Sequence, residues 1–121
     1  GDSAEAVRIG TALAQVIRQA EEPVFIAASA LLTRYESAAQ AQSKDRILLD
    51  QILALDGRGF LERVNTLRSS MCGAMAVAVT LIAGEALGVS RAKVVAYRTS
   101  AEETGEEDSI ISYAGIVLDS V

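Results

Sequence analysis

The sequence predicts an α+β fold, and three observations predict it. Residues 4–88 carry apolar side chains at helical spacing. After Gly88 the composition changes to β-branched and aromatic runs, KVVAYRT at 93–99 and SIISYAGIVL at 109–118. Helices first and strands last is the α+β order. The third observation is the scarcity of aromatics, two Phe and three Tyr in a chain that is 50% hydrophobic. Its core must be built from Ala, Val, Ile and Leu, which suits closely packed helices. The 121 residues are expected to form a single domain, 1–121, large enough to bury one core.

The first helix is expected over 4–21. Asp2 or Ser3 caps it, and Glu5 lies in the favourable first turn. Ile9, Leu13, Val16, Ile17 and Ala20 share one apolar face. Pro23 suits a helix's first turn and not its middle, so a second helix is expected over 23–40. Its buried face would be Phe25, Ala28, Leu31, Leu32 and Tyr35, with SAAQAQS fraying at its end. Ser43 would cap a third helix over 44–55, and Asp56-Gly57-Arg58-Gly59 would end it in a turn.

A fourth helix is expected over 59–88, with Ser69-Ser70 or Gly73 as places where it can break. Gly88-Val89 is the pattern of a helix C-cap with glycine in the left-handed conformation. The two strands, 93–99 and 109–118, would pair as an antiparallel hairpin around the acidic tip SAEETGEED. Both runs are apolar on both faces, so helices should cover at least one. A lone hairpin is marginal in water.

Charge and composition narrow the chemistry. The net charge is −5, which does not favour non-specific attraction to nucleic acid or an anionic membrane. Histidine is absent, which removes His-based acid–base catalysis and His metal ligation. One cysteine, Cys72, permits no internal disulfide and fits a reduced, cytoplasmic setting. Cys72 reads as a small buried residue rather than a nucleophile. The acidic run at 102–108 lacks the spacing of a Ca²⁺ loop. The Asp56–Gly59 turn lacks a phosphate-loop pattern. No metal, cofactor or catalytic residue is assigned.

The uncharged stretch from Ser69 to Gly84 admits three readings. It is too short for a membrane span, which needs about 20 apolar residues. Residues 80–98 resemble a helix-turn-helix, with Gly84 at the helix approach and Gly88 at the turn. In that alternative Ser90, Arg91, Lys93 and Arg98 would cap the second helix and meet DNA phosphates. Val95 and Ala96 stand where base-reading side chains are wanted. The reading adopted is a buried Ala/Gly-rich helix whose small residues admit close packing. The expected function is a non-catalytic oligomerisation or protein-interaction domain, with itself or another protein as partner. Ala78, Leu81, Gly84 and Gly88 would carry the contact. A second alternative is a small-molecule-binding or enzymatic domain with an apolar pocket.

Overall fold

A computed structural model describes residues 2–120. In chain order it contains α1 (Ser3–Gln19), β1 (Thr33–Glu36), α2 (Ala38–Leu53), α3 (Gly57–Thr66) and α4 (Ala74–Ala86). There follow β2 (Arg91–Thr99), the single turn α5 (Ala101–Thr104) and β3 (Ile110–Asp119). The three strands form one antiparallel sheet in the order β1-β3-β2. The α+β expectation holds, and the two C-terminal strands pair as predicted.

The sheet has two unlike faces. Alternation along β2 and β3 puts Val94, Tyr97 and Thr99 inward, opposite Ile116, Ala114 and Ser112. Helix α2 packs on the sheet. The other face carries exposed Val95, Tyr113 and Val117. Asp45 of α2 joins the layers. It is 1% exposed and accepts the Thr33 hydroxyl at 2.7 Å and the Tyr97 hydroxyl at 2.5 Å. A buried carboxylate is tolerated where hydrogen bonds replace its water. Burial, followed by the Asp45 hydrogen bond, pushes the Tyr97 phenol well above its ordinary range.

The other helices form a second layer around α4. Ala6, Gly10 and Ala14 recur at four-residue spacing and make the buried stripe of α1. A Cβ at Gly10 would stand 2.7 Å from Ile82 Cγ2, and one at Gly57 would stand 3.0 Å from the Ala78 carbonyl. Small residues thus let α1 and α3 press on α4 at backbone range. Arg18 donates to the Ala86 carbonyl at the C-terminal end of α4, where a cation also favours the helix dipole. Phe60, Leu48, Leu61 and Leu81 fill the core.

Several expected boundaries differ. No helix forms over 23–32, and α2 starts at Ala38, inside the tail expected to fray. Ser37, not Ser43, is its cap and accepts from the Gln40 amide at 3.2 Å. The helical spacing of Phe25, Leu32 and Tyr35 is coincidental: Phe25 is 90% exposed, and Tyr35 takes a φ of 60° at the β1 irregularity. The segment 59–88 is two helices, parted at 67–73, where Arg68 (φ 50°) and Gly73 (φ 88°) are left-handed. Asp56 does not merely end a helix. It starts α3 by accepting the Gly59 amide at 2.9 Å. The predicted apolar face of α1 is not its buried one: Leu13 and Ile17 are half-buried, and Ile9, Val16 and Ala20 are exposed. Cys72 is exposed rather than buried.

The predicted cap at Gly88 is present. Gly88 has a φ of 92°, its amide reaches the Glu85 carbonyl at 3.1 Å, and the Val89 amide reaches the Gly84 carbonyl at 2.9 Å. These are the two bonds of a Schellman motif. Among the described residues no helix is long and apolar enough to cross a membrane.

Two expectations test this packing. Asp45→Ala leaves two hydroxyls without their acceptor and should lower the unfolding free energy by about 2–3 kcal/mol; an unchanged urea midpoint would refute the network. Gly10→Ala should cost about 1–2 kcal/mol by forcing α1 away from Ile82, read as a lower Tm.

Candidate functional site

An apolar groove of about 470 Å³ opens on one side of the molecule. One wall is the segment 24–30. The opposite wall is the free edge of β3, with Ala114, Ile116 and Leu118, and the floor is α4, with Leu81 and Gly84. Among the described residues no ionisable side chain lines it. The groove therefore offers burial to apolar groups, with Thr80 as the polar side chain in its lining. Its volume lies in the range of small-ligand sites, about 300–1,000 Å³, but eight of the ten residues from Glu21 to Ala30 are exposed, and only Ile26 and Ala30 are partly buried. The wall is thus open to solvent on its outer side.

The segment is held at its C-terminal end. Leu31 and Cys72 exchange both backbone hydrogen bonds, at 3.0 and 3.1 Å. The Leu32 amide donates to the Ser112 carbonyl at 3.1 Å. A Cβ at Gly73 would come 2.8 Å from the Ser29 carbonyl, so glycine is needed there for both space and φ. The loop 67–73 is tied in turn to β1. Ser70 Oγ accepts the Arg34 amide at 3.0 Å and donates to Glu36 Oε2 at 2.5 Å, while Lys44 Nζ meets Glu36 Oε1 at 2.7 Å. Burial pulls the Glu36 carboxyl upward, but the Lys44 and Ser70 hydrogen bonds outweigh it and hold the carboxyl below its ordinary value.

The four residues expected to make a contact do not share one surface. Ala78 is fully buried and packs beside Gly57 of α3. Leu81 and Gly84 are buried within the chain and form the groove floor. Gly88 is exposed in the turn after α4. Glu85 is exposed, so the helix has the narrow polar stripe that its sequence allowed.

The helix-turn-helix alternative is corrected. Its second helix does not exist, because Arg91–Thr99 is strand β2. β-branched Val94 and Val95 favour the pleated backbone, and pairing with β3 completes it. The Ser90 amide donates to the Asp119 carbonyl. Arg91 pairs with Asp119 at 2.5 Å, and Arg98 lies 3.8 Å from Glu102. Lys93 projects from the exposed sheet face. The Asp56 carboxylate already caps α3, so the Asp56–Gly59 turn presents a negative group where a phosphate would need amides. Segment 24–30, the feature that shapes the groove, falls where the sequence spacing predicts a helix, and the structure has none there. Its signal in the sequence is a continuous apolar run without alternation.

A family model described as Memo-like protein matches residues 1–117. A MEMO1 family protein of Methanopyrus kandleri is 35% identical over 117 residues, covering 97% of this chain and 41% of that protein. One from Methanosarcina mazei is 33% identical over 118 residues, covering 98% of this chain and 44% of its own length. One from Methanocaldococcus jannaschii is 32% identical over 118 residues, with 98% and 41% covered. The chain spans less than half the length of these relatives.

The anchor around Glu36 carries a pH prediction. Because its folded carboxyl lies below the ordinary 4.5, its contribution is present above that value and is lost as pH falls through it. The Tm advantage of the native chain over Glu36→Gln should be clear at pH 7 and shrink below pH 4.5. An advantage independent of pH would refute the charge-assisted anchor.

Proposed function

The chain belongs to the Memo-like protein family, and from that premise we propose that it is a non-catalytic interaction module that docks onto further Memo-like polypeptide. The partner is the sequence that relatives carry outside the matched stretch. One observation carries this reading. The chain leaves an apolar groove open, with Phe25 almost fully exposed beside it, while relatives devote more than half their length to other sequence. Exposed apolar area of this kind favours association, because covering it removes it from water.

The exposed flank of α1, with Ile9 and Val16, adds a second uncovered patch. The described lining of the groove is apolar apart from Thr80, which suits a contact surface for apolar side chains.

Co-expression with the unmatched part of the Methanopyrus kandleri relative tests the proposal. Light scattering on a sizing column should show a one-to-one complex. Val117→Arg places a charge on the groove wall at a half-exposed position. It should weaken the complex by about tenfold or more while leaving the chain folded. Recovery of this chain only as a stable homodimer that excludes the added polypeptide would refute the reading.

A further inference from the structure

We propose that residues 24–30 and the free edge of β3 are the two sides of a gap in a sheet, and that an extended, uncharged segment of the docking Memo-like polypeptide fills it by pairing with both. The proposal rests on the docking reading above and specifies how that contact is made.

The sequence supports strand character on one side of the gap. Val24-Phe25-Ile26-Ala27-Ala28-Ser29-Ala30 has no charge and starts with β-branched and aromatic residues. Both alternate sets are apolar or small. That is the pattern of a strand covered on both faces, not of one with a wet side. Yet the run is almost wholly exposed. No hydrogen bond is made by residues 21–30, among the described residues. Seven backbone amides and carbonyls in an apolar run are thus left to water. Buried backbone groups must be paired, so the run can be covered only if the cover also supplies ladder bonds.

The other side of the gap is equally open. β3 pairs with β2 from Ser112 to Asp119. Its opposite edge pairs with β1 only at Ile110, Ile111 and Ser112. Beyond Ser112 that edge has no ladder partner among the described residues. The chain just before β1 begins to follow it, since Leu32 donates to the Ser112 carbonyl, and then leaves: Leu31 turns its bonds to Cys72. Segment 24–30 and β3 residues 114–118 therefore diverge from a common corner. The groove is the space between them. Unpaired strand edges are templates for another strand, and strand addition gains main-chain hydrogen bonds together with side-chain burial.

The chemistry of the space defines the occupant. Leu81 and Gly84 form its floor, and among the described residues no ionisable side chain lines it. A charged segment would lose its water without gaining a partner. An extended segment with apolar residues at alternate positions, facing α4, fits.

Hydrogen exchange distinguishes this from docking in general. In this chain alone, amides of 24–30 should exchange at nearly free-peptide rates. In the complex co-expressed with the unmatched part of the Methanopyrus kandleri relative, they should slow about a hundredfold or more, together with the edge-facing amides of 114–118. Ala28→Pro, at an exposed position two residues along from Ile26, removes one ladder donor. It should weaken the complex about tenfold and leave the Tm of the isolated chain unchanged, because the segment makes no bond there. A complex in which 24–30 still exchanges freely would overturn strand insertion and leave the docking reading standing. Protection of 24–30 without 114–118 would overturn the two-sided pairing. Failure to form any complex would overturn the docking reading and the insertion with it.

Discussion

The close contact of α4 with its neighbours is the constraint on which the structure depends. Gly10 and Gly57 leave no room for a side chain against Ile82 and the Ala78 carbonyl. Helix α4 is consequently held by backbone proximity as much as by large side chains. Ala-rich helices suit this arrangement, since they lose little side-chain entropy on burial. With α4 fixed, its exposed Glu85, its Schellman end at Gly88 and its contact with the end of β3 at Leu118 are fixed too. The groove floor is one side of this same helix.

The sheet is attached to that assembly by a different kind of contact. Asp45 has no cation beside it among its hydrogen-bond partners and is held by two hydroxyls, one from each outer strand. Such directional bonds set the angle of α2 on the sheet more narrowly than apolar packing does. The anchor Lys44–Glu36–Ser70 extends the polar contact from α2 to the loop before α4. Through Cys72 and Gly73 that loop sets where the segment 24–30 leaves the body. The apolar groove is thus shaped by polar contacts outside it.

The proposed docking onto further Memo-like polypeptide would give the uncovered surfaces a common explanation. Ile9 and Val16 on α1, Phe25 beside the groove, and Val95 and Tyr113 on the sheet face are all exposed. A surface of scattered apolar residues is ordinary in folded proteins. A continuous apolar run with unmet backbone groups is not, and this makes 24–30 the informative part of the surface.

The sequence by itself determined the α+β class, the hairpin strands, the break within 59–88 as one of its options, and the glycine cap at 88. These are local: propensity, period and a left-handed glycine act within a few residues. It also excluded histidine chemistry outright. Only the tertiary structure decided the fate of 23–40. There the spacing of Phe25, Leu32 and Tyr35 imitates a helix, while Thr33 is claimed by Asp45, twelve residues away, and Leu31 by Cys72. Such long-range bonds override local preference and leave no periodic trace. The groove was illegible for the same reason. It arises where 24–30, α4 and β3 come together, and no single stretch of sequence encodes the gap between them.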